Sequence, residues 1–140
     1  MSRRSAPSGC GEAGTRRAVG AVCFGSSSLL DRSKSLKSEM MALIESKQRA
    51  DVEGTDFYHG AASGMTALQG CLGWLRGGAW DGRMALVVCS EVAQSVISQG
   101  LPGGSAAVAL LIGPSAPLRV EPEHACHIRH HAWDLISPIA

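Results

Sequence analysis

Two apolar runs dominate the second half of the chain. They read "MALVVCSEV" (84–92) and "AAVALLIGP" (106–114), and neither shows the polar alternation of a half-exposed strand. Near-continuous apolar runs of this length are typical of strands buried on both faces of a sheet. Turn-forming residues bound each run, so we predict two buried strands here.

The first half of the chain shows helical spacing instead. In "DRSKSLKSEMMALIESKQ" (31–48) apolar residues recur every three or four positions, which predicts a helix with one apolar face. "MTALQGCLGWLR" (65–76) predicts a second helix, weakened by two internal glycines. Between the two helices, "DVEGTDFY" (51–58) is short and rich in strand-forming residues, so we predict a strand there.

Helices and strands therefore alternate, which predicts an α/β fold with a largely buried sheet. "APLRVEPE" (116–123) is a candidate for a further short strand. Residues 1–27 are rich in Gly, Ser and Arg and lack periodicity, so we predict a disordered or non-native leader. The predicted folded region is residues 28–140.

The amino-acid composition and the net charge reduce the number of possible functions. The chain has 140 residues, 45% of them apolar, and a formal net charge of +1, which gives no electrostatic case for nucleic acid or membrane binding. No apolar run approaches the roughly 20 residues of a membrane span. Five widely spaced cysteines form no disulfide framework, so we predict a reducing, cytoplasmic location. The Arg- and Ser-rich start leaves a mitochondrial location as the alternative.

The stretch "DFYHGAASGMTAL" (56–68) has the pattern of an active-site turn, since a strand leads through small residues into a helix. The N-terminus of a helix favours negative charge, so a thiolate or an oxyanion would be stabilised there. The tip contains no cysteine, and its one hydroxyl belongs to Ser63. No base is identifiable for Ser63. Cys71 and Cys89 fall on predicted buried elements, where inert core thiols are expected.

Several stretches in register resemble 3-hydroxy-3-methylglutaryl-CoA synthases of the thiolase superfamily, over about residues 26–138. They are "DRSKSLKSEMMALIES", "DVEGTD", "WDGRMALVVCSEVA" and "GGSAAVALLIGPSAPL", with a weaker match at "HHAWDLISP". The resemblance implies the N-terminal half of an α/β/α/β/α sandwich. It also implies the condensation of acetyl-CoA with acetoacetyl-CoA in the mevalonate route to isoprenoids, with no further cofactor.

The same resemblance places the family's chemical residues on changed positions. The nucleophilic cysteine falls on Ala61, and the general-acid glutamate falls on Ser27. Glu91, His131 and Asp134 match polar positions of the family's substrate site, with Glu91 replacing an aspartate. The family's catalytic histidine and asparagine fall beyond residue 140. The resemblance therefore implies a chain that is catalytically incompetent on its own.

A histidine-rich segment, "HACHIRHH" (124–131), offers imidazole and thiol ligands for zinc or copper. Its spacing matches no closed zinc motif, so we predict no metal site and a polar, partly exposed tail.

Three hypotheses for the function remain from the sequence. One is a hydroxymethylglutaryl-CoA synthase by resemblance, with acyl-CoA substrates. The alternative is a non-catalytic fragment or pseudoenzyme that forms homo-oligomers or pairs with an intact synthase. A metal-binding tail on a degenerate fold is the third.

Overall fold

The computed structural model describes residues 18–28, 31, 33–44, 51–60, 62–78, 80–92 and 104–128. Within these residues four strands form one sheet, in the order β2-β1-β3-β4. The strands are β1 (Val19–Gly25), β2 (Glu53–Phe57), β3 (Met84–Val92) and β4 (Ser105–Ile112), and the helices are α1 (Leu36–Ile44) and α2 (Ser63–Arg76). The predicted α/β class is confirmed.

The sheet is parallel except at one edge. β1 pairs in parallel with both β2 and β3, whereas β3 and β4 are antiparallel. Because β1, β2 and β3 run in the same direction, their carboxyl ends meet at one edge of the sheet. Ligand and catalytic groups of open α/β sheets lie outside that edge.

The core has one cluster on each face of the sheet. On one face α2 packs against small side chains of the two central strands, and the cluster consists of Ala21, Cys23, Ala67, Cys71, Ala85 and Val87. On the other face α1 contributes Met41 and Ile44 to a cluster around Val22. The strands therefore lie between two helical layers, with β1 buried along its whole length.

Both predicted helices and the strands β2 and β3 are confirmed. α2 continues through the two glycines that weaken its helical pattern. At Gly70 the reason is packing, because a Cβ atom there would lie 3.0 Å from Phe57 Cζ. A larger residue would gain helix propensity but would push the helix away from β2.

The prediction of a leader over residues 1–27 is wrong for Val19–Gly25, which form β1 at the centre of the sheet. The segment "VGAVCFG" is made of small apolar residues without alternation, as a strand covered on both faces requires. The Gly, Ser and Arg residues around it hide this signal from a compositional reading. Residues 1–17 lie outside the described residues.

The predicted burial of the last strand is also wrong. β4 is an edge strand exposed from Ser105 to Leu111, and Val108 keeps 55% of its surface exposed. Its apolar composition fits a covered strand, but composition does not specify what covers it. The predicted strand at 116–123 is absent; the described residues there form a bend and a short 3₁₀ helix, Pro122–His124. Two prolines in this segment remove the N–H groups that a strand would need.

Candidate functional site

Ser27 and Glu91 meet at the carboxyl ends of β1 and β3. Ser27 lies two residues beyond the end of β1, and Glu91 is the second-last residue of β3. The Ser27 hydroxyl donates to Glu91 Oε1 at 2.5 Å, and the Ser27 backbone N–H donates to Oε2 at 2.9 Å. The structure thus brings together two of the positions that the family resemblance singles out.

A second hydroxyl, which the sequence reasoning missed, completes the contact. Ser28 Oγ donates to Glu91 Oε1 at 2.6 Å and accepts the Val92 N–H at 3.2 Å. The Ser28 N–H donates to Ser26 Oγ at 3.0 Å, which fixes the turn that follows β1. The sequence shows three consecutive serines after an apolar run. They indicate a polar cluster at the end of a strand only when that run is recognised as a strand.

The electrostatics of this cluster favour a charged carboxylate. The hydrogen bonds from the Ser27 and Ser28 hydroxyls and from the Ser27 N–H lower the pKa of Glu91, against a small opposing effect of burial. Hydrogen bonds to the charged form have this effect because they stabilise the anion alone. Glu91 is therefore ionised at neutral pH and holds no proton to deliver.

The strand-to-helix turn between β2 and α2 ends at the same edge of the sheet. Gly60 has a φ of +58°, a left-handed conformation that suits glycine, and its carbonyl accepts the Ser63 N–H at 3.1 Å. The N-cap residue Ala62 makes no side-chain hydrogen bond to the first turn of α2. Ala61, the predicted position of the lost nucleophile, lies outside the described residues.

The remaining hydroxyl and thiol candidates are poorly placed to take an acyl group from a thioester. Ser63 is only 5% exposed, and Cys71 is fully buried. Burial raises the pKa of the Cys89 thiol, which disfavours its nucleophilic thiolate. Of the predicted substrate-site positions, Glu91 is placed as described above, whereas His131 and Asp134 lie outside the described residues.

The described part of the histidine-rich segment holds no metal centre. No group of three or more His, Cys, Asp or Glu side chains converges among the residues that the structure describes. The Gln69 amide Nε2 donates to His127 Nε2 at 2.7 Å, which uses the imidazole lone pair that a metal would need. His130 and His131 lie outside the described residues.

An apolar groove of about 680 Å³ lies between α2 and the segment 110–120. It is lined by Leu72, Leu75 and Trp80 on one side and by the end of β4 on the other. Ile112 pairs with Ala85 near the start of β3, so the groove lies at the opposite edge of the sheet from Glu91. It is therefore separate from the Ser27–Glu91 cluster.

Within the described ranges, no helix is both long enough and apolar enough to cross a membrane.

Comparison with known proteins gives a consistent picture. The sequence profile described as "Hydroxymethylglutaryl-coenzyme A synthase N terminal" matches residues 13–117. The hydroxymethylglutaryl-CoA synthase of Mycosarcoma maydis is 36% identical over 123 residues, covering 87% of this chain and 26% of the relative. The cytoplasmic hydroxymethylglutaryl-CoA synthase of Homo sapiens is 37% identical over 121 residues, covering 86% of this chain and 23% of the relative.

Solved structures agree with the sequence matches. MvaS in complex with 3-hydroxy-3-methylglutaryl coenzyme A aligns with a TM-score of 0.61 and 30% identity, covering 70% of this chain and 23% of that one. PksG, an HMG-CoA synthase from Bacillus subtilis, aligns with a TM-score of 0.62 at 19% identity, covering 74% and 25%, which supports the fold alone. The chain has a partial thiolase-like α/β fold and spans about a quarter of the length of these relatives.

Proposed function

The chain belongs to the hydroxymethylglutaryl-CoA synthase family, and we propose that it is a member without acetyl-transfer chemistry of its own. The family condenses acetyl-CoA with acetoacetyl-CoA in the mevalonate route. That reaction needs a thiolate to take the acetyl group, and then an acid/base group to enolise it. The chain has part of the family's α/β fold, and by resemblance both chemical positions differ.

The first change concerns the nucleophile. In the family, a cysteine thiolate attacks the thioester carbonyl of acetyl-CoA, and CoA leaves as its thiolate. The equivalent position by resemblance is Ala61, whose methyl group has no lone pair and forms no acyl bond. Ser63 is the nearest hydroxyl along the chain, and its 5% exposure leaves no route for an acyl-CoA thioester to reach it.

The second change concerns the acid, and it is the observation that carries the proposal. Position 27 bears a serine, whose hydroxyl donates to Glu91 at 2.5 Å and so serves to hold that carboxylate. A general acid works best when its pKa lies near the operating pH. Three hydrogen-bond donors move the pKa of Glu91 in the opposite direction. The cluster therefore contains an anion anchored by serines in place of a proton donor.

The test is acetyl transfer from radiolabelled acetyl-CoA to the purified full-length chain. We expect no stable acetyl adduct on the chain, while an intact synthase of the family becomes labelled under the same conditions. A stoichiometric adduct on the unmodified chain would refute the proposal. Peptide mapping would then locate it, and loss of the label in Ser63→Ala would identify a substitute nucleophile.

The relatives support a ligand class and a location for this chain. The neighbour MvaS was solved in complex with 3-hydroxy-3-methylglutaryl coenzyme A, which supports an acyl-CoA as the ligand class of this chain. One relative is named as a cytoplasmic enzyme, and we propose the cytoplasm for this chain too.

Association is the remaining part of the proposal. β4 is an exposed apolar edge strand, with Leu110 and Leu111 both above 40% exposure. An uncharged edge of this kind pairs readily with another strand. We propose that the chain self-associates or pairs with an intact synthase, and the exposed strand supports this.

A further inference from the structure

Two free cysteines share the core cluster between the sheet and α2. Cys23 lies on β1 and Cys71 on α2, with 6% and 0% of their surfaces exposed. Both belong to the cluster of small apolar side chains that joins β1 and β3 to the helix. The synthase chemistry discussed above uses neither thiol.

Three contacts place the two side chains in the same region of the core. Cys23 pairs with Val87 in the ladder between β1 and β3, and Cys71 Sγ lies 3.7 Å from the carbonyl oxygen of the adjacent residue, Leu86. A Cβ atom built on Gly70, next to Cys71, would lie 3.5 Å from Cys23 Sγ. Both side chains therefore lie in the same buried space between the central strands and α2.

The helix also packs closely against the strand. A disulfide needs its two Cα atoms within roughly 7 Å, so the two backbones must approach closely. A Cβ atom on Gly25 would lie 2.7 Å from the backbone of Gly64, and one on Gly64 would lie 2.9 Å from Cys89 Sγ. Glycines at these contacts, with Ala67 and Gly70 further along, let α2 pack directly on β1.

The two thiols differ in acidity. The neighbouring Cys71 thiol lowers the pKa of Cys23, against an opposing effect of burial. The neighbouring Cys23 and burial raise the pKa of Cys71. Cys23 is therefore the more readily ionised of the two thiols. Thiolate is the form that reacts with oxidants.

We propose that Cys23 and Cys71 are an oxidation-responsive pair that closes to a disulfide when the chain meets a peroxide. The Cys23 thiolate attacks one peroxide oxygen and the O–O bond breaks, which gives a Cys23 sulfenic acid and a hydroxide. The hydroxide takes up the proton that Cys23 released on ionising and becomes the first water. Cys71 sulfur then attacks the sulfenic sulfur, forming the S–S bond and releasing a second water with the Cys71 proton. Overall the two thiols lose two electrons and two protons, and one hydrogen peroxide becomes two waters.

The bond would tie β1 to α2 and close the loop between residues 23 and 71. That loop contains both the Ser27 turn and the strand-to-helix turn before α2. Closing a loop of this size restricts the unfolded chain, so the oxidised form resists thermal unfolding more than the reduced form.

The test treats the reduced full-length chain with hydrogen peroxide, alkylates the remaining thiols and maps peptides without reduction. We expect a peptide pair joined through Cys23 and Cys71, with both thiols lost at the same rate. The melting temperature should rise by on the order of ten degrees and return after dithiothreitol. A chain that keeps its circular dichroism spectrum but retains both thiols after exposure would overturn the proposal, as would oxidation of Cys23 beyond sulfenic acid without a cross-link.

Matched variants separate this pair from the other cysteines. A chain with Cys10, Cys89 and Cys126 changed to serine should still form the cross-link. Cys71→Ser should lose it, and Cys23 should then oxidise beyond sulfenic acid. A bond from Cys23 to any other cysteine would assign the reactivity elsewhere. The unmodified chain already gives a decisive result if a variant fails to fold.

Discussion

Gly25→Ala is the substitution that most directly tests the contact between β1 and α2. The added methyl group would lie 2.7 Å from the N and Cα atoms of Gly64 and from the carbonyl carbon of Ser63. These are backbone atoms, so no side chain can rotate away, and the helix itself must move. Overpacking of this kind costs about 1–3 kcal/mol, and we expect the upper half of that range.

Urea unfolding of the full-length chain, followed by circular dichroism, measures this cost. A loss of about 2–3 kcal/mol lowers the urea midpoint by about 1 M at an unchanged slope, since the slope for small proteins is roughly 1–3 kcal/mol per M. The melting temperature should fall by about ten degrees or more. The reasoning fails if the midpoint of Gly25→Ala stays within about 0.2 M of the unmodified chain.

Gly73→Ala is the matched control, because it adds the same methyl group to the exposed face of α2. A Cβ atom there meets no heavy atom within 4 Å. The helix should gain about 0.5–1 kcal/mol from the better helix-forming residue. Opposite signs for the two substitutions would attribute the loss at Gly25 to close packing, whereas equal losses would contradict it.

Two further predictions concern the Glu91 cluster and the exposed strand. The pKa of Glu91, followed by carbon NMR of its carboxyl, should lie below the ordinary value and rise towards it in Ser27→Ala. Because the pKa of Glu91 is lower in the folded state, its carboxylate stabilises the fold at pH values above its unfolded-state pKa. This contribution to stability is lost as the pH falls through the folded-state pKa. An unchanged pKa of Glu91 in Ser27→Ala would contradict the assignment. Val108→Lys should reduce self-association measured by light scattering, because a charge on an edge strand opposes pairing. Leu118→Lys, at a residue 85% exposed and outside β4, is the control and should leave association unchanged; equal effects would argue against β4 as the contact.

The sequence predicts those elements whose pattern is complete in one segment. α2 and β3 are long, and their apolar positions fit one period, so both were correctly predicted. β1 was missed because "VGAVCFG" consists of small residues that resemble the loop-like composition before it. Its role depends on being covered by strands on both sides and a helix on each face, which is a tertiary property.

In the site too, the local sequence predicts some features, whereas others depend on the tertiary structure. The resemblance singled out Ser27 and Glu91 as separate positions, but their contact depends on β1 lying beside β3, and a local pattern does not specify strand order. The prediction that β4 is buried is wrong for a related reason. Its apolar sequence indicates a surface that another element could cover, but it does not identify that element. Ser28 joined the site only when the end of β1 was located.

Asp56 at the end of β2 makes the folding of α1 conditional. Its carboxylate accepts the N–H groups of Leu36 and Lys37 at 2.6 and 2.9 Å, while Ser35 Oγ accepts that of Ser38 at 3.0 Å. The described part of α1 has nine residues, fewer than the roughly 12–15 that an isolated helix needs even for marginal stability in water. Two of the first turn's amides thus gain their acceptor only after the chain has extended some 20 residues further and β2 has docked. On a ribosome or a refolding pathway, α1 therefore becomes persistent after β2 has joined β1, and the helix that comes earlier in the chain is completed later in time.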